Sequence, residues 1–356
     1  MNSSPPGIPS RRLDKPPQAR LWILTIIGAL VAAVLLNFVL GFFIAGWNYP
    51  KTPIRTIRQL TEGTTTSHFL ADGFGTYGNR LTGNPPAPNA PIVILLGDSH
   101  LVQDAVPDSD TMGAVIERQS RADGKPVNIR QYGWYSTAAP TYIANAPLLL
   151  KSFDPKLVVV VLNSTDFARE ALTEGWYWQM RINPDLTFRL VDVRTPEGTG
   201  RLAQVRDFVG RSPLMLSLRR RAVLIFLAGD EAPLPPRPAA DHAPDPIQAQ
   251  VPLVIPASVR GLKTAYGARL LIAYTPFCRQ TCDPAPDEGE ARLLDACRTE
   301  AVNCISTRAD MVAEMQSTHH LLRGFHNTAP GEGHLNRFGL QAVGTAIWRR
   351  ISSELP

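Results

Sequence analysis

The sequence predicts an α/β fold built on a parallel sheet, after one apolar helix near the N-terminus. Three observations carry this. Short Val/Ile/Leu runs recur at Pro91–Gly97 (PIVILLG), Lys156–Leu162 (KLVVVVL) and 268–274 (ARLLIAY). Unbroken apolar runs of this length fit strands buried on both faces, as in a parallel sheet. Amphipathic stretches separate them, and strand–helix alternation points to a doubly wound arrangement. The 356-residue length allows one large domain or two small ones, and 44% hydrophobic residues with 19% charged support a packed core over disorder.

Taken in order, residues 1–20 are polar and Pro/Ser-rich, and carry Arg11, Arg12, Lys15 and Arg20. Leu21 to Trp47 then runs without a formal charge, and Asn37 is its only strongly polar side chain. Roughly 20 apolar residues span a bilayer as a helix. Trp22 and Trp47 sit at the ends, where indoles favour the headgroup region. A cleaved signal peptide has a shorter apolar region ending in small residues, so an uncleaved anchor is expected. Lys51, Arg55 and Arg58 follow the stretch, and the basic tail before it places the N-terminus inside and the long C-terminal part outside the cytoplasm.

Residues 48–89, rich in Gly, Pro, Thr and Asn, read as a stalk. After the strand at 91–97 come a helix over 108–121, a strand at 127–132, a helix over 139–152 and the strand at 156–162. The rhythm then breaks over 170–254, an insertion with several Trp, many Arg and a Pro-rich tract at 233–246; residues 201–228 within it have helical spacing. Such an insertion suits a solvated cap, a lid or a membrane-surface contact. The pattern resumes with a helix at 257–266, the strand at 268–274, a helix at 288–299, a strand at 301–306 and a last amphipathic helix from Asn336 to Ser352.

The net charge of +5 is spread along the chain without interleaved aromatic residues, which argues against a nucleic-acid partner. Four cysteines, Cys278, Cys282, Cys297 and Cys304, are an even number in a domain expected outside the cytoplasm, and suggest two disulfides. Of three pairings, Cys278–Cys282 with Cys297–Cys304 closes the shortest loops. A zinc site needs two tight ligand pairs, which these spacings do not provide.

Two segments carry chemistry. Gly97-Asp98-Ser99-His100 follows the first parallel strand directly, and open α/β sheets bind ligands at the carboxyl ends of their strands. The ordinary alternative is a strand-exit turn. Gly331-Glu332-Gly333-His334-Leu335-Asn336 precedes the last helix, and a serine nucleophile needs a base, most often histidine. His319, His320 and His326 compete for that role.

Over roughly residues 90–355, insertion excepted, these blocks resemble the SGNH/GDSL hydrolase superfamily. The resemblance implies a flavodoxin-like three-layer sandwich and a serine esterase or O-acyltransferase without a cofactor. It makes Ser99 the nucleophile, flanked by Asp98, and His334 the base. Gly133, in Gln131-Tyr132-Gly133-Trp134, takes the place of the oxyanion-hole glycine, beside the Ser99 N–H. The third block, usually Gly-x-Asn-Asp, reads Asn163-Ser164-Thr165-Asp166; Asp166 aligns, and Asn163 or Thr165 becomes the side-chain donor. The usual Asp-x-x-His has Gly331 at the acid position, and Glu332 is the nearest carboxylate to orient His334. Exported, anchored relatives of this kind act on acyl groups of cell-envelope polysaccharide, some with a multi-span membrane acyltransferase as partner. The competing readings are a catalytically degenerate domain that binds polysaccharide or scaffolds an assembly, and a lipase or lysophospholipase.

Overall fold

The computed structural model describes residues 18–44, 54–58, 66–70, 72, 74, 78–167, 172, 178–192, 248–325 and 328–355. The chain divides into two compact units. In the first, α1 is a 27-residue helix, Gln18–Ile44. Side chains are described over 21–36, and their apolar groups are exposed all round the helix, from Leu21 and Trp22 to Leu36. Within the described residues no helix is long and apolar enough to cross a membrane.

The second unit is built on an eight-stranded sheet. Its strands are β1 (Ile54–Arg58), β2 (Thr66–Leu70), β3 (Asn79–Arg80), β4 (Ile92–Gly97), β5 (Asn128–Gly133), β6 (Leu157–Leu162), β9 (Leu270–Tyr274) and β10 (Asn303–Ser306), with β7 (Trp178–Ile182) and β8 (Phe188–Asp192) forming a separate hairpin. The order is β1-β2-β3-β5-β4-β6-β9-β10. The last five are parallel, and counted along the chain they run 2-1-3-4-5, the flavodoxin-like order whose switch point lies between β4 and β6. The sequence expectation of a parallel α/β sheet holds.

The stretch expected to be a stalk differs. Residues 54–80 supply β1–β3, which join the sheet antiparallel and cover its β5 edge. The reason is local: Asn79 Oδ1 accepts from the Gln131 N–H at 2.8 Å, and the buried Arg80 guanidinium donates to the Val106 carbonyl at 2.8 Å. Polar residues that read as loop in the sequence are thus satisfied at a sheet edge, which needs such cover.

Alternation along the strands divides the core. Val93, Leu95, Val159 and Leu271 face α3 (Met112–Ala122), α7 (Arg308–Thr318) and α8 (Arg337–Ile351) through Met112, Met311, Val343 and Ile347. Ile94, Leu96, Val160 and Ile272 face α4 (Ala139–Phe153), α5 (Val254–Tyr266) and α6 (Glu288–Thr299) through Tyr142, Val259, Leu262 and Leu293. Successive side chains point to opposite faces of a strand, so continuous apolar runs serve both layers.

The insertion contributes the β7–β8 hairpin, where Met180 and Ile182 pack with Ala138, Leu172, Val254 and Ala257 in a small satellite core. The helix expected at 201–228 and the Pro-rich tract lie outside the described residues. The disulfides are Cys278–Cys282 and Cys297–Cys304, as the short-loop pairing predicted.

Candidate active site

The nucleophile turn is made where β4 ends. Asp98 caps the four-residue helix α2 (Ser99–Val102) by accepting from the His100 N–H at 2.8 Å. This puts Ser99 on the first helical residue, where backbone N–H groups have no intrahelical partner. Two glycines let α2 lie against the strand ends. A Cβ on Gly97 would stand 3.0 Å from the Leu101 Cβ, and one on Gly133 would stand 2.2 Å from the Val102 nitrogen. Gly133 is required by close approach, independently of any role for its N–H.

The base turn comes from the other end of the chain. Gly331 and Gly333 adopt φ of 80° and 84°, the left-handed region open to glycine. A Cβ on Gly331 would lie 2.7 Å from the Arg279 backbone carbon, so an aspartate has no room there. His334 is held by its backbone: its carbonyl accepts from the Gly324 N–H at 3.0 Å, and Leu335 pairs with Arg323 in an antiparallel bridge. Asn336 caps α8, its side chain accepting from the N–H groups of Phe338 and Gly339. The result brings His334 Nε2 to 3.0 Å from Ser99 Oγ. With the hydroxyl donating, this is the geometry of a serine nucleophile and its general base.

Two residues expected at the site have described contacts of their own. Glu332, expected to orient His334, has its carboxylate paired with Arg279 at 3.4 Å, and both side chains are substantially exposed, 44% and 65%. Asn163, expected as an oxyanion donor, is buried and donates from Nδ2 to Asp98 Oδ2 at 3.0 Å. Asp166 accepts the Asn163 N–H at 2.8 Å, fixing the turn that leaves β6. The Thr165 side chain lies outside the described residues.

A polar cluster thus sits behind the dyad. His100 Nδ1 is 3.1 Å from both Asp98 oxygens, and its Nε2 is 2.8 Å from Nη1 of Arg323, a residue only 1% exposed. Guanidinium groups only donate, so His100 Nε2 accepts in this contact and Nδ1 faces Asp98. The His100 and His334 rings lie 5.1 Å apart between centroids. Burial alone raises the Asp98 pKa, but the His100 and Asn163 contacts outweigh it and bring the group down to about 2. Asp166 goes the other way: burial, then the Asp98 charge, push its carboxyl well above the ordinary value of 3.8. Among the described residues its buried Oδ1 has no hydrogen-bond partner. Burial draws the Arg323 guanidinium down to about 10.

His320 stacks on Phe338 with ring centroids 3.9 Å apart, and His319 caps the end of α7; His326 lies outside the described residues. Among the described residues no group of three or more His, Cys, Asp or Glu could hold a metal ion. Sequence reasoning gave no role to His100 or Arg323. His100 was visible as the residue after the nucleophile, whereas nothing local distinguishes Arg323, whose neighbours across the fold define it.

No family model and no curated protein matches the chain. Solved structures do resemble it. A lipase/acylhydrolase from Enterococcus faecalis is 12% identical with TM-score 0.37, covering 75% of this chain and 97% of that one. A two-domain esterase active on acetylated mannans is 12% identical with TM-score 0.39, covering 74% and 49%. A G-D-S-L family lipolytic protein from Desulfitobacterium hafniense is 9% identical with TM-score 0.31, covering 72% and 98%. In the order of its sequence blocks, in its strand order and in the Ser99–His334 pair, the chain is similar to the SGNH/GDSL hydrolases.

Proposed function

We propose that this chain is a membrane-anchored, extracytoplasmic serine esterase or O-acyltransferase acting on ester-linked acyl groups, acetyl foremost, of cell-envelope polysaccharide. The observation that carries the chemistry is the 3.0 Å approach of His334 Nε2 to Ser99 Oγ at the carboxyl end of β4. Ser99 Oγ attacks the ester carbonyl carbon as its proton passes to His334 Nε2. The carbonyl oxygen takes up negative charge, with the N–H groups of Ser99 and Gly133 as its donors; one such donor is typically worth about 100- to 1,000-fold in rate. His334 then returns the proton to the leaving alkoxide, and the acyl group stays on Ser99. Water or a sugar hydroxyl repeats the sequence in reverse, giving hydrolysis or transfer. No step calls on a metal or cofactor.

The location is supported by the uncharged apolar stretch Leu21 to Trp47 of the sequence and by two disulfides, which persist in oxidising compartments. Polysaccharide as acyl carrier, and a multi-span membrane acyltransferase as donor, extend the resemblance to that location. A second reading is a degenerate domain that binds polysaccharide or scaffolds an assembly; Gly331 at the usual acid position, where a Cβ has no room, favours it. The lipase reading keeps the same dyad and changes only the acyl chain.

The test is fluorophosphonate labelling of the full-length chain in detergent, with an ester series of increasing acyl length. Labelling lost in Ser99→Ala, with acetyl esters cleaved fastest, is the expected outcome. A folded protein that neither labels nor turns over moves the degenerate reading to the front, and preference for long chains favours the lipase.

A further inference from the structure

The loop that leaves β9 presents one exposed ring. Thr275-Pro276-Phe277-Cys278 begins at the carboxyl end of that strand, on the same edge of the sheet that carries Ser99 at the end of β4. Thr275, Pro276 and Cys278 are buried, whereas Phe277 is 37% exposed. Outside α1, Phe277 and Leu148 are the exposed large hydrophobic residues among those described, and Leu148 lies on α4, a helix flanking the sheet. Phe277 is the one placed at the catalytic edge.

The ring is held in place by its surroundings. The guanidinium carbon of Arg323 lies 4.2 Å from its centroid. That guanidinium also donates to the Pro276 carbonyl at 3.3 Å, to the Gly333 carbonyl at 3.3 Å and to His100 Nε2 at 2.8 Å. Phe277 therefore stands one side chain away from both the nucleophile turn and the base turn. Cys278–Cys282 closes the chain just past it. Arg279, in the same loop, backs Gly331, and its guanidinium carbon lies 5.5 Å from the ring centroid. The Arg279 and Glu332 side chains, paired at 3.4 Å and both open to solvent, lie beside the ring.

This chemistry discriminates between occupants. An acyl chain calls for an enclosed apolar channel, because only methylenes removed from water contribute to binding. A single ring beside charged groups does not provide one. A pyranose has a patch of C–H groups with partial positive charge on its face, which suits the negative face of an aromatic ring. Its hydroxyls stand at the edge, where Arg279 can donate and Glu332 can accept. We propose that Phe277 is a substrate-binding residue: it stacks on a pyranose ring of the acyl-bearing polysaccharide and so selects a sugar carrier for Ser99. The proposal rests on the serine-hydrolase reading of the site. Phe277 takes no part in bond making; contact remote from the reacting carbon holds the ester over the nucleophile.

Phe277→Leu keeps an apolar side chain against Arg323 and removes the flat face, whereas Phe277→Trp retains a face. The measurement is steady-state kinetics of the full-length chain in detergent on partly acetylated cellohexaose, vinyl acetate and vinyl laurate, with rates counted per molecule that fluorophosphonate labels. In Phe277→Leu, kcat/KM on the hexasaccharide is expected to fall about tenfold, mostly through KM, as for loss of one aromatic contact. The loss on vinyl acetate is expected to be several times smaller, and Phe277→Trp to restore the hexasaccharide. Equal losses on the two acetyl esters overturn the proposal, since they mark a ring that only props Arg323. A loss confined to vinyl laurate, or no loss on the hexasaccharide, overturns it as well. A wild-type protein that neither labels nor turns over sinks the esterase reading instead. Calorimetric binding of unmodified cellohexaose then decides for Phe277 alone: weaker binding by Phe277→Leu than by wild type supports the stacking role, and equal or absent binding overturns it.

Discussion

Asp98 and Asp166 show how two carboxylates near one turn are driven apart. Asp98 takes hydrogen bonds from His100 and Asn163, which draw its pKa down; Asp166 is buried beside that charge, and its pKa is pushed up. Their effects on stability have opposite signs. Asp98, with a folded pKa of about 2 against 3.8, stabilises above the unfolded value, and the benefit fades as pH falls toward 2. Asp166 has its folded value raised, so its contribution is complete below 3.8 and is lost as pH rises through the folded pKa. Asp166→Asn mimics the neutral acid and keeps an acceptor for the Asn163 N–H. Its stability relative to wild type should therefore improve from pH 4 to pH 7, by at most about 1.4 kcal/mol per pH unit. Urea unfolding at the two pH values checks this; an unchanged difference would mean that Asp166 is ionised in the folded chain. At this scale the sequence revealed Ser99 and His334, because each lies in a short block with glycines at fixed places. The Arg323–His100 contact links residues 223 apart and had no local signature.

Among the elements, the parallel strands were the most legible, since two-sided burial leaves unbroken Val/Ile/Leu runs such as Leu157–Leu162. β1–β3 were not, because a short strand like Asn79–Arg80 is defined by polar side chains that find partners only in the folded sheet. The role of the loop after β9 also needed the fold. Cys278–Cys282 closes that loop, and its Arg279 backs Gly331 and pairs with Glu332. Cys297–Cys304 ties α6 to β10. Loop-closure entropy assigns each bridge about 2 kcal/mol. The double variant Cys278→Ser/Cys282→Ser should lose that stability and also label severalfold more slowly with fluorophosphonate. Cys297→Ser/Cys304→Ser should lose similar stability with the rate per folded molecule kept. Denaturant unfolding and labelling kinetics on both variants check this; equal rate losses would deny the first loop any special bearing on the base turn.

For the whole molecule, the expected arrangement is an apolar N-terminal helix holding an exported catalytic unit. Leu21 to Trp47 carried that expectation in the sequence; α1 is a 27-residue helix, and among the described residues no helix is long and apolar enough to cross a membrane. Alkaline carbonate washing of membranes from cells making the full chain should leave it in the pellet, with residues after 60 open to protease added from the extracytoplasmic side. Release into the wash would argue for peripheral attachment.

The distance in sequence between nucleophile and base has a consequence for when the chain becomes active. Ser99 and His334 are 235 residues apart and meet only when the segment before α8 docks under the sheet's switch point. Contacts of such separation form late, since long loops must close first. A chain synthesised only part-way holds the nucleophile segment without the base. On the proposed reading, activation of Ser99 waits for His334, and a fragment ending before residue 334 is expected to carry a serine no more nucleophilic than any other.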